Sequence, residues 1–525
     1  MKRIIFALLI ISLLLGTGCG KKNKTGEKTA ETAPKAETEL SDGGGEISVY
    51  SYKPDTLCPI LSANEANIQM LEIVYDGLVS VRDDMTAEPA LSDGWTVSED
   101  GLEWSFSLRG GVLWHSGELF GAEDVVYTVN TIKAHPESVY AYNVSKIQSV
   151  RTDGGEVRFR LTEPNPNFPN LMYFPIIRSN SAVGDLSAYV PVGTGAYRFE
   201  DRNEGNIYYL VRNDSWWGGK ADNECIRVRM LPDRDTALYA FSSGNIDMTA
   251  TADMNWGKYV DASAVKTAKI KTPIYTFLGV NHSNSFLKET EVRAAISKAV
   301  DRSEIVSSVM MDYAVQASAP IRGDWAVGEN QTGSFKASPA AAKEFLEESG
   351  WTHDGSVYKK RINKREYKLK FDILINDDNT LRENTAEIIE KNLEEFGIAV
   401  SIVKLPYDEY AKRIESGKYD LFIGSIVIPA DLSADFILGG GNCFGFEDAE
   451  TADVLEKLKK VRTDEEKKNA YAEMINLFEQ INPVIGLYFE DNVMITSNRI
   501  KGDAVPSYYD LYRGIEKLRR GTNGK

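Results

Sequence analysis

Lys368-Leu369-Lys370-Phe371-Asp372-Ile373-Leu374-Ile375 (KLKFDILI) is the stretch on which the fold class turns. Leu369, Phe371, Ile373 and Ile375 recur at every second position, the period of a strand. The period then changes. From about Thr380 to Phe396 the apolar residues fall at helical spacing, and Gly397 supplies a stop. Ile398 to Val403 reads as a second strand. Strand, helix and strand in succession form a βαβ unit, which requires a parallel pair under helical cover. The fold class is α/β.

Working outward, the pattern persists on both sides. Ser338-Pro339 caps and opens a helix that Gly350 ends. Thr463-Asp464-Glu465-Glu466 is a capping box, followed by Ala470, Tyr471, Met474, Ile475 and Phe478 on one face and then Pro483. The region from 85 to 200 reads differently, as strands and turns with one helix. Leu102 to Leu108 alternates, Gly110-Gly111 breaks it, and Glu123 to Lys133 is the helix. Folded sequence begins at the alternating strand Ile47-Ser48-Val49-Tyr50. No internal repeat of fixed period is visible.

The chain has 525 residues, too many for one core, so two or three domains are expected. Its 42% hydrophobic and 26% charged content is ordinary for a soluble globular protein. The 25 Tyr exceed what packing requires and suit sites that are apolar on one side and wet on the other. A formal charge of −17 argues against nucleic acid or anionic lipid as the main partner, since both need basic patches.

Lys2 and Arg3 precede a nearly all-apolar run from Ile4 to Leu15, too short to cross a bilayer and fitted to a secretory signal over residues 1–18. It ends in Leu15-Gly16-Thr17-Gly18-Cys19, which resembles a bacterial lipobox, with Gly16 where Leu is usual. Lipidation of Cys19 would place the protein outside the cell membrane and anchored to it. Residues 20 to 45 cannot bury enough surface to offset chain entropy and read as a disordered tether. Cys58, Cys225 and Cys443 remain, an odd number that leaves at least one unpaired.

The catalytic motifs sought are missing. There is no Gly-x-Ser-x-Gly elbow, no His-Glu-x-x-His and no Gly-x-x-x-x-Gly-Lys-Ser/Thr. Gly193-Thr194-Gly195 lacks the third glycine of a dinucleotide loop, and Gly439-Gly440-Gly441 fails its spacing; both read as turns or loops. The four His (His115, His135, His282 and His353) are scattered, so neither a metal site nor any other cofactor is expected.

Six segments in order resemble one family, the bacterial family 5 extracellular solute-binding proteins, which include dipeptide- and oligopeptide-binding proteins. They are Leu91 to Leu102, GVLWHSGELFGAEDVVY (111 to 127), Pro191 to Tyr197 with Trp217-Gly218-Gly219-Lys220, Ser243 to Asp247, VRAAISKAVDR (292 to 302) and Pro483 to Tyr488. The resemblance implies a two-lobed periplasmic-binding-protein fold (type II) that closes over its ligand. Lobe 1 would hold 46–275 with an extra subdomain at about 85–190, lobe 2 would hold 276–485, and 486–525 would return to lobe 1. It also implies a monomeric capture subunit, not an enzyme, that delivers a peptide or similar solute to ABC permease subunits.

The implied ligand-binding residues are Ser62, Ala63, Asn64 and Glu65 after Leu57-Cys58-Pro59, Tyr127, and Tyr275 and Asn281 at the hinge. The departure lies in the second lobe. Peptide binders carry Trp-x-x-Asp-Tyr-x-Asp-Pro there, and the first Asp pairs with the peptide ammonium. Here Ile426 replaces the Trp and Pro429 takes the Asp position, so Asp431 becomes the anchor only with a two-residue shift. An oligosaccharide or another uncharged ligand, or a sensor role, therefore stays open, with hydrolysis a remote alternative.

Overall fold

The computed structural model describes residues 45–184, 186, 189–200, 205–326 and 337–521. The signal segment, Cys19 and nearly all of the tether lie outside the described residues.

The βαβ unit forms as its periodicity requires. Lys370–Asn376 pairs in parallel with Ala399–Leu405, and the helix Thr380–Phe396 connects them. Gly397 ends that helix in the left-handed region at φ 103°, where a Cβ would be strained. Leu369, Phe371, Ile373 and Ile375 are all buried, and so is Leu374 on the opposite side, as expected of a sheet covered on both faces. The capping box at Thr463 and Glu466 opens the helix Asp464–Ile481. Ser338 precedes the helix Pro339–Glu348 but makes no side-chain cap bond.

Among the described residues the sheets divide the molecule. A four-stranded sheet runs Glu46–Tyr52, Cys225–Leu231, Ile207–Arg212, Tyr197–Phe199, with the first pair parallel. A second four-stranded sheet, all antiparallel, is built from Ser92–Val97, Glu103–Leu108, Glu156–Leu161 and Ile147–Asp153. Its core is aromatic, with Phe106, Phe159 and Phe168 meeting edge to face. The helix Ala122–Ala134 packs on it.

The largest sheet contains the βαβ unit and two long strands, Val265–Val280 and Ile485–Ser497. These two pair with each other along most of their length, but not continuously. Val265 to Lys271 faces Asp491 to Ser497, and Tyr275 to Leu278 faces Ile485 to Phe489. Between them the register shifts at Thr272-Pro273-Ile274, where Pro273 has no N–H to give to a ladder. Beyond the break Val265–Val280 also takes Leu421–Val427 as a partner. The expected lobe boundaries at 275/276 and 485/486 fall on these two strands.

Close packing at the break leaves no room for a side chain on Gly486. A Cβ there would meet the Tyr275 hydroxyl and the carbonyl oxygens of Ala317 and Ser318. Gly486→Ala is expected to destabilise the protein by about 1–3 kcal/mol through overpacking. Gly440→Ala, where a Cβ meets nothing within 4 Å, should leave it unchanged. Thermal unfolding of the two variants side by side checks this.

Candidate functional site

The loop that leaves Leu421–Val427 is tied to the strand break. Ile428 N–H bonds to the Pro273 carbonyl at the strand break, 2.8 Å away, and Leu432 turns through the left-handed region at φ 58°. Between them lies Asp431, 8% exposed. Its carboxylate accepts from the Tyr142 hydroxyl at 3.2 and 3.3 Å and from Asn165 Nδ2 at 2.8 Å.

Tyr142 stands in the short helix Ala141–Val144, and Asn165 belongs to a proline-rich segment, Glu163-Pro164-Asn165-Pro166-Asn167-Phe168-Pro169-Asn170. Three prolines fix the backbone and remove its donors, so the asparagine side chains make the polar contacts. Asn167 Nδ2 donates to the Asp431 carbonyl at 2.9 Å and to the Tyr471 hydroxyl at 2.8 Å. Asn170 Nδ2 donates to the Ala430 carbonyl at 3.0 Å and the Met85 carbonyl at 2.6 Å. Phe168, sunk in the aromatic cluster, sets the depth of the strap. At its edge Glu163 is paired to Lys459 at 3.0 Å and to Lys146.

Burial pushes the Asp431 carboxyl up to about 6, only partly opposed by the bonds from Asn165, Ser433 N–H and Tyr142, and nearby Asp435 raises it further. Among the described residues no ion pair reaches Asp431; every donor to it is neutral. The Tyr509 hydroxyl is buried without a hydrogen-bond partner among the described residues. Burial raises its pKa first, and the charge of Asp431 contributes. A cavity of about 70 Å³ opens beside Asp431, lined also by Tyr142, Asn165, Ser433 and Tyr471.

The other expected residues are placed elsewhere. Ser62 Oγ and Ala63 N–H both donate to the Asp55 carboxylate at 2.7 Å, and Asn64 caps the helix Glu65–Glu72 by accepting from Asn67 N–H. They form a turn bonded within itself. Glu65 pairs with Arg234 at 3.2 Å and lines a separate cavity of about 30 Å³ beside Tyr50, Tyr52, Asn492 and Tyr508. That is room for roughly two waters.

Tyr127 donates to the Ser181 carbonyl at 2.8 Å. Tyr275 is fully buried, between Phe277 and Phe489, and donates to the Ser318 carbonyl. Asn281 Nδ2 bonds the carbonyls of Gly417 and Tyr419, bracing the end of its strand. Of the residues expected, Glu65 and Asp431 face cavities, and not the same one. Tyr142, Asn165, Asn167, Asn170, Tyr471 and Tyr509 were missed; the alternation of Asn and Pro from 164 to 170 was the available signal. Cys58 and Cys443 are free thiols, and no group of three or more acidic, His or Cys residues among the described residues could hold a metal ion.

Residues 86–441 match the family model "Bacterial extracellular solute-binding proteins, family 5 Middle". The chain belongs to this family. It is 23% identical over 553 residues to the oligopeptide-binding protein AppA of Bacillus subtilis, covering 98% of this chain and 99% of AppA. It is 22% identical to heme-binding protein A of Haemophilus influenzae, covering 97% of this chain and 98% of that one. Among solved structures, HbpA2 from Haemophilus parasuis superposes with a TM-score of 0.76 at 21% identity, over 89% of this chain and 98% of HbpA2. The two-lobed periplasmic-binding-protein fold expected from the sequence is the fold observed.

Asp431 makes unliganded stability depend on pH. Its folded pKa of about 6 stands above the ordinary Asp value of 3.8, so between the two the folded chain binds more protons than the unfolded one. That contribution is lost as pH rises through this window. The stability of wild type relative to Asp431→Asn should therefore fall by roughly 3 kcal/mol between about pH 4 and pH 7. Urea unfolding of both proteins across that range measures it; a constant difference would contradict the assignment.

Proposed function

We propose that this solute-binding protein captures a peptide, or a related small solute with a free amine, between its lobes and passes it unchanged to ABC permease subunits. The observation that carries this reading is Asp431, a buried carboxylate held in place by neutral donors with no cation against it. A ligand ammonium in the adjoining cavity would supply the missing charge. Removing one partner of such a buried pair costs roughly 3–5 kcal/mol, or two to three decades in affinity. The oligopeptide-binding relative supports the peptide class.

In this reading Asp431 is the amine anchor after all, displaced by two residues from the family position. Glu65, on the other side, would contribute through the charged pair it forms with Arg234. The lobes would divide near 275/276 and 485/486, with the 85–190 region as an insert in the first. The protein would work as a monomer outside the membrane, lipidated at Cys19 and tethered by residues 20–45.

Two experiments test this. Mass spectrometry of ligand retained by the purified protein should find peptides or amines, and Asp431→Asn should bind a peptide pool about 100-fold more weakly than wild type. Equal affinity would remove Asp431 from the site, and a retained sugar would replace the ligand class. Separately, Cys19→Ser should move the protein from the membrane fraction to the soluble one without changing its affinity in solution.

A further inference from the structure

The region from 85 to 190 touches the second half of the chain through a row of polar contacts. Asn167 Nδ2 gives both its hydrogens across this contact, to the Asp431 carbonyl at 2.9 Å and the Tyr471 hydroxyl at 2.8 Å. Asn170 Nδ2 reaches the Ala430 carbonyl at 3.0 Å. Beside them Glu163 pairs at 3.0 Å with Lys459, near the end of the helix Ala449–Lys460. Farther along, the turn after Ser98 brings Gly101, at φ 72°, under the Arg462 guanidinium. The approach is so close that a Cβ on Gly101 would meet Arg462 Nη2 at 2.5 Å.

The packing around these bonds is that of a seam and not of a core. Protein interiors hold few voids larger than a water molecule. Here cavities of about 460 and 70 Å³ flank the Asp431 loop. Both partners line each of them. Trp95, Trp104 and Asn170 share the larger with Trp325 and Lys467, and Tyr142 and Asn165 share the smaller with Asp435 and Leu458. The acceptors at the seam include main-chain carbonyls, which water satisfies equally well when a contact parts. Within the 85–190 region the packing is of another kind, with Phe106, Phe159 and Phe168 meeting edge to face.

We propose that the 85–190 region is a clasp that holds the second lobe closed over the site, with Asn167 bonded across the seam only in the closed form. The inference rests on the lobe division near 275/276 and 485/486, and not on the identity of the ligand. When the lobes part, Asn167 and the carbonyls of Ala430 and Asp431 exchange one another for water. When they meet, the prolines have already shaped the strap, so closing orders little further chain. Tyr142 and Asn165 join Asp431 in the same movement, which completes the donor set of its carboxylate. Closure thus draws on bonds within the protein as well as on contacts with the ligand, and release of the ligand has to break both. Asn167 is a positioning residue: it acts on the ligand through the loop.

The test uses the full chain in three variants beside wild type. Asn167→Ala removes both bonds and leaves the strap prolines in place. Asn167→Asp keeps the shape and sets a carboxylate against the Asp431 carbonyl. Lys459→Gln, at the partly exposed end of the contact, removes only the ion pair to Glu163. Without ligand, small-angle X-ray scattering should give a larger radius of gyration for both Asn167 variants, and a smaller shift in the same direction for Lys459→Gln. With a free tri- to pentapeptide library as probe, stopped-flow mixing should show dissociation about tenfold faster from Asn167→Ala, the scale of two buried hydrogen bonds, and association no slower. Scattering unchanged in all three variants, with the loss confined to a lower unfolding temperature, would place strap and loop in one rigid body and overturn the clasp. So would unchanged dissociation of a library that wild type binds. If wild type binds none of the library, the peptide reading fails, and the scattering still decides the clasp.

Discussion

One buried ion pair stands where the two long strands lose their register. Asp491, with a fully buried side chain, meets Arg322 at 2.7 Å and Lys269 at 3.0 Å. Arg322 is itself 2% exposed and lies over the rings of Trp325 and Phe489. Breaking such a pair strands a charge in a low-dielectric interior, at a cost of roughly 3–5 kcal/mol. The pair therefore holds the segment ending at Ala326 against the strand Ile485–Ser497. Lys271, one residue before the break, extends the network to Asp324 at 2.9 Å, and its backbone N–H bonds Asp83. Hydrogen bonding alone could not fix this point, because Pro273 and the register shift take ladder bonds away from it.

The loop with Asp431 inherits its position from that break. Ile428 N–H bonds the Pro273 carbonyl, so the loop is hung from the irregular residues themselves. The proline–asparagine strap then grips it from the other side. Sheet, loop and strap form one chain of contacts, and each link joins segments far apart in sequence.

That distance explains what the sequence discloses and what it hides. The βαβ unit, the helix Thr380–Phe396 and the capping box at Thr463 are written in local periodicity and local donors, and all three stand where their spacing puts them. Asn165 and Asp431 are 266 residues apart, and Asn167 and Tyr471 are 304 apart. No local pattern encodes such pairs. The turn at Ser62 to Asn64 is local in its bonding. Its residues fit a ligand-facing edge by resemblance, but a helix start and the nearby Asp55 already claim their hydrogen bonds.

The choice of donors around Asp431 is itself informative. Asparagine and tyrosine hold a carboxylate by geometry and leave its charge in place, whereas an Arg or Lys would have neutralised it. A basic strap would draw the loop in with or without a ligand, and the site would have nothing left to attract an ammonium. Neutral donors make the loop rigid and keep the carboxylate unsatisfied as a charge. The cost of that arrangement is visible in the raised pKa of Asp431. In the proposed reading a positive ligand would relieve it, and the strap would then serve recognition by what its side chains withhold as much as by what they bond.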